Sequence, residues 1–539
     1  MSEGTVTTDI ERAGTDASRR LEARFRRIAR LDHASTFLDW DRMVVMPSGG
    51  AAPRAAALAE LAALSHELLA DPLVGEWLDE AEGLAEGVVE TSVDRSGAAS
   101  DAARGVRPHE VRVANLREMR RAWRDAAALP PELVRAQVTA GAHCEQGWRE
   151  QRAANDWRGF LVNFRPVVAL AREEAEARRA AAPGRFATPY DALLERHCAG
   201  DDQALVNRAF DTLRNRLPTL FAEAFERQRS RGDAGSRSLP PGRYPLPAQQ
   251  SLSERVMRRF GFDFGAGRLD TSLHPFSTGV RGDLRITTRY RESDFLDALQ
   301  ATIHETGHAS YEAGLPAEFD GLPLGRARNM SIHESQSLLF ERHIGLSRRF
   351  LGACVGDVHE LLPDARGIDA ERLWRAATRV APSYIRVEAD ELGYPLHVML
   401  RHAIESALIN GDMEAADVPD AWEEGMLAAF GLSVGDEHSK GCLQDIHWTE
   451  GAFGYFPSYT LGAINAAQLW AALRGAHPDW AERLAAGDTA FARDWLAARI
   501  WSRGSLLESQ PLMAAASGSG TDAAHLVRHL ERRYLDEED

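Results

Sequence analysis

His304, Glu305 and His308 form the pattern H-E-x-x-H within a stretch of sequence rich in helix-forming residues. On an α-helix, residues four apart lie on the same face, so both imidazoles can reach one metal ion. Glu305 lies beside them and can accept a proton from water activated by that ion. The pattern therefore predicts a hydrolytic metal site. The helix that carries it is predicted to begin near Ser293 or Asp294 and to end near residue 314.

The sequence must also supply a third ligand, because hydrolytic zinc sites use three protein ligands and one water. The extended pattern H-x-x-G-x-x-H is absent, so this ligand must come from another segment. Glu334 is the best candidate, since it lies 26 residues after His308, a gap that suits a turn and a second helix. His333 is a rival ligand. Ser331 and Glu334 also match S-x-x-E, a helix capping box, so spacing alone leaves these alternatives open.

The composition is that of a globular chain, with 44% hydrophobic and 27% charged residues among 539. Its net charge of -17 argues against binding to nucleic acid or to anionic membranes. The Ala- and Leu-rich residues 51–73 carry too many charges to span a bilayer. No apolar signal-peptide core is present at the N-terminus. The four cysteines are widely spaced, so reduced thiols in the cytoplasm are expected.

Most of the chain is predicted to be helical because apolar residues recur at three- and four-residue spacing. Helices are expected at residues 21–38, 55–69, 131–156, 163–180 and 202–227. Residues 283–290 are β-branched and partly alternating, which predicts a strand just before the metal helix. Loops are expected at residues 87–107, 230–250 and 517–521.

The domain organisation follows from this pattern. We expect a polar N-terminal tail at 1–20, a helical part at 21–228, a Pro/Gly-rich loop at 229–250 and a catalytic part at 251–539. These parts are expected to form one continuous structural unit.

Taken together, the motifs resemble those of the M32 metallocarboxypeptidases, the Taq-type carboxypeptidases. Six of them occur in the family's order: H-P-F at 274–276, D-x-R-x-T at 283–287, H-E-x-x-H at 304–308, H-E-S-Q at 333–336, I-R-x-x-A-D at 385–390 and G-x-x-Q-D-x-H-W at 441–448. The resemblance covers nearly the whole chain. It implies a mostly α, two-lobed, zincin-like (gluzincin) fold with a deep groove, a small β-sheet beside the active site, and a homodimer.

The same resemblance implies roles for individual residues. His304, His308 and Glu334 would bind one metal ion per chain, Zn²⁺ with Co²⁺ or Mn²⁺ as alternatives, and His333 would be a neighbour of the site. The catalytic residues would be Glu305 as general base, with His447 and Tyr459 stabilising the oxyanion. The residues nominated for substrate binding are Arg386, which would hold the C-terminal carboxylate, and His274, Arg285, Gln444 and Tyr455.

Several of these residues also have a purely structural interpretation. Arg386 and Asp390 match an i,i+4 ion pair on a helix. The histidine and tyrosines near residue 450 could be aromatic packing in the core. His274 precedes a proline and could shape a turn, and Arg285 could only stabilise its strand.

The implied activity is removal of C-terminal amino acids from peptides that have a free C-terminus, with broad specificity. An endopeptidase with the same zinc helix but no carboxylate clamp is the nearest alternative. A catalytically inactive peptide-binding protein is the alternative from another class. Glu305 argues against that second alternative, because binding alone does not need a general base.

Overall fold

The structure is a computed structural model that describes residues 3–89, 107–232, 239 and 242–537. Helices dominate these residues, as the sequence predicts. The helices of eight or more residues, together with two shorter ones, are α1 (Glu3–Val44), α2 (Ala51–Ala70), α3 (Pro72–Val89), α4 (Pro108–Ala127), α5 (Pro131–Ala153), α6 (Trp157–Ala181), α7 (Pro189–Leu194), α8 (Gln203–Ser230), α9 (Leu246–Arg259), α10 (Leu296–Gly314), α11 (Met330–Leu338), α12 (Arg348–Leu361), α13 (Ala370–Ala377), α14 (Gly393–Asn410), α15 (Val418–Phe430), α16 (Pro457–Ala476), α17 (Trp480–Ala485), α18 (Ala490–Arg499), α19 (Ser509–Ser517) and α20 (Ala524–Glu531).

The observed ends of the helices differ from the predicted ones at several places. Helix α1 begins at Glu3 and so extends through the segment expected to be a polar tail. Helix α9 begins at Leu246, inside the loop predicted for 230–250, because proline is well accommodated in the first turn of a helix. Residues 87–89 of the loop predicted for 87–107 belong instead to α3, and residues 90–106 lie outside the described residues. The loop predicted for 517–521 is confirmed: α19 ends at Ser517, and Gly518 follows with a left-handed φ of 95°.

The sheet has three strands, β1 (Gly267–Thr271), β2 (Phe276–Val280) and β3 (Asp283–Thr288). Strand β3 is central, parallel to β1 and antiparallel to β2. The strand predicted at 283–290 is therefore confirmed, two residues shorter at its C-terminal end. Helix α10 follows β3 directly and packs against it. A mostly helical chain with a small sheet beside the H-E-x-x-H helix agrees with the predicted fold class.

The core of the described residues contains two large clusters of buried apolar side chains that meet along α16, and two smaller clusters, one among α1, α3 and α4 and one beneath the sheet. Leu461 and Ile464 belong to the first cluster, and Leu469 and Trp470 on the same helix belong to the second. The first cluster also joins helices that precede residue 229 to helices that follow residue 250. The predicted loop at 229–250 is thus not a boundary between separate cores.

Glycines let α11 lie unusually close to two other helices. A Cβ added to Gly307 of α10 would lie 2.6 Å from the Cα of Ser337. A Cβ added to Gly462 of α16 would lie 2.6 Å from the Cβ of Glu334. Because real Cβ atoms do not approach other atoms this closely, both positions need glycine. The close packing fixes α11, and with it Glu334, next to the face of α10 that carries the two histidines.

Replacing Gly307 by Ala is expected to destabilise the protein by about 1–3 kcal/mol, because the new methyl group meets backbone atoms that cannot turn away. Gly356 is a matched control: it also lies within a helix, α12, but has no atom within 4 Å of its added Cβ. Gly356→Ala should stabilise the helix by about 0.5–1 kcal/mol. Urea denaturation of the two variants measures both changes. Equal stabilities would show that α10 and α11 are not in rigid contact.

Candidate metal centre and active-site cavity

Helix α10 presents the two histidines of the motif to a single cavity. The ring centroids of His304 and His308 are 4.9 Å apart, as expected for residues one turn apart on one face. Glu305 lies between them in sequence and is 7% exposed. The predicted start of the helix near Asp294 agrees with the structure, because the Asp294 carboxylate accepts hydrogen bonds from the backbone N–H groups of Leu296 and Asp297. The helix begins at Leu296, slightly later than predicted, and ends at Gly314 as predicted.

Glu334 on α11 completes a three-residue cluster. Its Oε2 lies 3.3 Å from Nε2 of His308 and 3.8 Å from Nε2 of His304. The three donor atoms lie within 4.8 Å of one another. The capping-box alternative is wrong, because Asn329 caps α11 by accepting a hydrogen bond from the backbone N–H of Ile332. Glu334 is therefore free to face the histidines.

Side chains behind the cluster hold the other imidazole nitrogens. Nδ1 of His304 lies 2.8 Å from Oε2 of Glu341, so a carboxylate orients this ring. Nδ1 of His308 lies 2.7 Å from Nδ1 of His333. The other nitrogen of His333 contacts the carboxylate of Glu312 at 2.9 Å. His333 also lines the cavity, but both of its ring nitrogens face other side chains and neither belongs to the cluster of three donor atoms, which does not favour it as the third ligand.

The electrostatics of the cluster favour a positive charge at its centre. Burial alone would lower the pKa of His304, but Glu334 and Glu341 raise it to about 9. Burial lowers the pKa of His308 to about 4, so this imidazole is neutral at pH 7. Burial would raise the pKa of Glu334, but the two histidines hold it below the usual value. One ionised carboxylate, one neutral imidazole and a second imidazole in a negative field form a set that a divalent cation fits.

The pKa of Glu305 is raised to about 7, chiefly by burial and then by the nearby carboxylates of Glu334 and Glu341. Such a value places the proton of Glu305 close to balance at neutral pH, which is the property that a general base and acid requires. A divalent cation among the neighbouring ligands would favour the charged form of Glu305.

The cluster lies in a cavity of about 420 Å³. The sheet contributes Phe276 and Ser277 from the start of β2. Two of the predicted residues, Tyr455 and Tyr459, line the opposite wall together with Tyr394. Tyr455 and Tyr459 pack edge to face with ring centroids 5.3 Å apart. Burial raises the pKa of Tyr455 to about 12 and that of Tyr459 well above its usual value, so both phenols keep their protons.

His447 lies behind this wall, and it is not among the residues that line the cavity. Its Nε2 is 3.3 Å from the hydroxyl of Tyr459. Burial and the cation of Arg386 lower its pKa to about 4, so the ring is neutral. Within the described residues, its buried Nδ1 has no hydrogen-bond partner.

Arg386 is buried, at 6% exposure, and it does not line the cavity either. Its Nε and one terminal nitrogen donate to Oδ1 of Asp445 at 3.0 and 2.8 Å. The other terminal nitrogen donates to the hydroxyl of Tyr394. The guanidinium also lies 5.3 Å from the ring centre of Tyr459. The helical i,i+4 pairing with Asp390 is not formed, because the chain here is a short 3-10 turn, Arg386–Glu388.

The other three predicted substrate-binding residues lie outside the cavity. His274 is exposed in the loop between β1 and β2, next to Pro275, which does line the cavity. Arg285 donates to Asp283 and lies 4.8 Å from the ring centre of Trp40, so it joins the sheet to α1. Gln444 accepts from the backbone N–H of Arg386, and its amide donates to three backbone carbonyls.

Several residues of the cavity wall were not predicted, and the three that matter most for the site are Glu341, Arg342 and Tyr394. Glu341 could have been found, since it lies seven residues after Glu334 and so on the same face two helical turns later. The chain departs from α-helical geometry at this point and forms a π-helical segment, Leu339–Gly345, which brings Arg342 to the cavity as well. None of the sequence motifs predicts this π-helical segment.

Comparison with known proteins assigns the chain to a family. The family model described as "Carboxypeptidase Taq (M32) metallopeptidase" matches residues 20–534. This chain belongs to the M32 metallocarboxypeptidases. The family predicted from the motifs is thereby confirmed.

Relatives of this M32 protein match over almost their whole lengths. It is 35% identical to thermostable carboxypeptidase 1 of Thermus thermophilus over 92% of its own length and 94% of the relative's. Metallocarboxypeptidase 1 of Trypanosoma cruzi has a similar structure, with a TM-score of 0.90 and 36% identity over 97% of this chain and 100% of that one. A carboxypeptidase of Pyrococcus furiosus, in a structure titled Apo-Mg, has a TM-score of 0.87 and 31% identity over 96% and 99% of the two chains. The predicted M32 fold is confirmed.

All four cysteines, Cys144, Cys198, Cys354 and Cys442, are buried free thiols, as expected from their spacing. Among the described residues, no helix is both long enough and apolar enough to cross a lipid bilayer.

Proposed function

We propose that this M32 protein removes C-terminal amino acids from peptides, with Glu305 as the general base. The observation that carries the proposal is the convergence of His304, His308 and Glu334 within 4.8 Å, in a cavity that Glu305 also lines. A divalent ion held by these three residues would supply Lewis acidity, making water more acidic and polarising the scissile carbonyl.

Glu305 performs the proton transfers of the proposed reaction. As a carboxylate it takes a proton from the attacking water, whose oxygen forms a bond to the carbonyl carbon of the last peptide bond. The carbon–nitrogen bond then breaks, and Glu305 delivers the proton to the leaving amine. Burial raises the pKa of Glu305 to about 7 in the absence of the ion, and a bound divalent ion would favour the carboxylate, which is the form that accepts the proton from water.

Tyr459 is the donor that we assign to the oxyanion of the tetrahedral intermediate. It lines the cavity, and its raised pKa keeps the hydroxyl protonated and able to donate. His447 contacts that hydroxyl at 3.3 Å, so its contribution in this geometry is to position Tyr459. Tyr455 packs against both rings and supports the same arrangement.

Arg386 remains our proposal for the residue that binds the C-terminal carboxylate of the substrate, because a guanidinium can bind a carboxylate through two parallel hydrogen bonds. In the described geometry it donates instead to Asp445 and Tyr394, so binding would require it to exchange one of these partners. His274, Arg285 and Gln444 lie farther from the cavity, and for them we propose support of the sheet and of the Arg386 turn.

Replacing Arg386 by Ala should raise KM for free-acid peptides by about 10- to 100-fold, the equivalent of one charge-assisted hydrogen bond of about 1.5–3 kcal/mol. The effect on the matching peptide amides should be far smaller. Steady-state kinetics on acid and amide pairs gives both values, with Arg386→Lys as a charge-preserving control. Equal losses on acids and amides would reject the clamp and leave Arg386 as a support for Tyr394 and Tyr459.

We propose Zn²⁺ as the ion, because two imidazoles and a carboxylate are a known hydrolytic zinc set, with Co²⁺ or Mn²⁺ as substitutes. Broad specificity is proposed from the family. We further propose a homodimer, and a reducing cytoplasm in which the four free thiols stay reduced.

Timed mass spectrometry of a mixed peptide digest tests the proposed function. We expect a ladder of products that shortens one residue at a time from the C-terminus. A chelator should stop the reaction, and added Zn²⁺ should restore it. Internal cleavage, or equal cleavage of peptide acids and amides, would favour the endopeptidase alternative. No cleavage by metal-loaded protein would favour a binding function.

A further inference from the structure

Arg342 enters the cavity from the π-helical segment that follows α11. The segment spans Leu339–Gly345 and carries Glu341 and Arg342 to the same wall. Among the described residues that line the cavity, Arg342 is the one arginine, and none is a lysine. The cavity of a chain with net charge -17 thus contains a single permanent cation beside its metal-binding cluster.

The guanidinium of Arg342 is only partly engaged by the protein. Its Nε lies 3.1 Å from Oε1 of Glu341. Of the carboxylates in the described part of the chain, only that of Glu341 lies within 4.0 Å of its nitrogens. The side chain keeps 23% of its surface exposed. Since Nε provides one of the five N–H donors of a guanidinium, the edge formed by the two terminal nitrogens is left for a ligand.

The neighbouring carboxylates are committed to other groups. Glu341 uses its second oxygen to contact Nδ1 of His304 at 2.8 Å. Glu391, also on the cavity wall, accepts hydrogen bonds from His529, Arg533 and the hydroxyl of Tyr534 at 2.9–3.0 Å. Asp390, the third carboxylate near Arg342, accepts from the backbone N–H groups of Ala381, Leu392 and Gly393. None of the three carboxylates can turn to cover the terminal nitrogens of Arg342 without giving up a buried partner.

We propose that Arg342 binds a carboxylate of the substrate residue that is to be released. That carboxylate is either the side chain of a C-terminal Asp or Glu, with Arg386 holding the α-carboxylate, or the α-carboxylate itself, which Arg342 would then hold in place of Arg386. Both present the same planar pair of oxygens to a guanidinium. This inference rests on the proposed carboxypeptidase function. It differs from the assignment of Arg386, whose nitrogens face Asp445 and Tyr394 instead of the cavity.

The position of Arg342 couples the metal site to substrate binding. Glu341 contacts both Nε of Arg342 and Nδ1 of His304, so two residues, Arg342 and Glu341, would connect a carboxylate on the outer edge of Arg342 to the proposed metal ligand His304. A C-terminal residue bound there by its carboxylate would have its peptide bond held at a fixed position relative to the ion. An exopeptidase needs this positioning to remove one residue from the end.

Arg342→Gln and Arg342→Lys test the proposal on the metal-loaded enzyme. Gln removes the charge and Lys keeps it without the planar fork. The substrates are four peptides that differ only at their ends: C-terminal Glu or Gln, each as the free acid or the amide. Metal content is measured for every variant, because a loosened Glu341 could also weaken the metal site. The measured quantity is kcat/KM.

Two results support the proposal and distinguish the two carboxylates. If Arg342 binds the acidic side chain, Arg342→Gln lowers kcat/KM for Glu-ended peptides about 10- to 100-fold more than for Gln-ended ones. If it binds the α-carboxylate, the loss is similar for Glu and Gln but confined to the free acids. Arg342→Lys should recover part of either loss.

The proposal is overturned if Arg342→Gln, with its metal retained, changes all four values by the same factor. A binding measurement tests Arg342 even if the proposed carboxypeptidase function is wrong. If the wild-type protein cleaves none of the peptides, calorimetric titration with L-glutamate and L-glutamine still tests Arg342. Weaker binding of L-glutamate by Arg342→Gln supports a carboxylate site, and unchanged binding of both compounds rejects it.

Discussion

Replacing Glu305 by Gln is expected to lower kcat about 10³-fold, within the range of about 10²–10⁴ that general acid–base catalysis contributes. The amide keeps the size of the carboxylate but cannot accept a proton from water. Metal content and thermal stability should stay close to wild type, because Glu305 is not one of the three clustered donors. Steady-state kinetics of a defined peptide, together with metal analysis of the same sample, provides the comparison.

Asp297→Asn is the matched control for this variant. It makes the same chemical change on the same helix, in the first turn and outside the cavity. Its kcat should remain within about twofold of wild type, since surface changes of this kind have small effects. If Glu305→Gln kept more than a tenth of the wild-type kcat with its metal bound, Glu305 would not be the base.

Substitutions at the metal cluster should lower metal affinity by two different amounts. Glu334→Gln removes the only carboxylate of the three donors, so we expect loss of bound metal and of activity together. Glu341→Gln alters only the group that orients His304, and such changes lower metal affinity by about 10- to 100-fold. Excess metal should therefore restore most activity to Glu341→Gln and little to Glu334→Gln. Metal titration followed by activity measurement distinguishes the two.

Equal behaviour of Glu334→Gln and Glu341→Gln would contradict these expected effects. If both variants lost metal to the same extent and recovered equally in excess ion, Glu334 would be a supporting residue like Glu341. His333 would then need to be reconsidered as a ligand, although its Nδ1 faces His308 in the described geometry.

The parts of the site that could be predicted are those set by helical periodicity. His304 and His308 lie on one face because they are four residues apart, and that fact depends on nothing outside their helix. Spacing identified Glu334 as a candidate third ligand but could not choose between it and the alternatives, because the position of Glu334 depends on how two helices pack. The glycines at 307 and 462 allow that packing, and their role becomes visible only in three dimensions.

The residues around the cavity were harder to predict for the same reason. Arg386 and His447 belong to the right region, but tertiary contacts with Asp445 and Tyr459 draw them behind the wall. Arg342 reaches the cavity through a π-helical segment, which periodicity of 3.6 residues cannot anticipate. The resemblance to a family supplied the function, while the contacts of individual side chains required the structure.

Anomalous X-ray diffraction from crystals grown with Zn²⁺ tests whether His304, His308 and Glu334 together bind one metal ion. We expect one strong anomalous peak per chain, with Nε2 of His304, Nε2 of His308 and a carboxylate oxygen of Glu334 each about 2.0–2.2 Å away. An empty cavity in the presence of ample Zn²⁺, or a peak whose ligands did not include Glu334, would rule out this metal site.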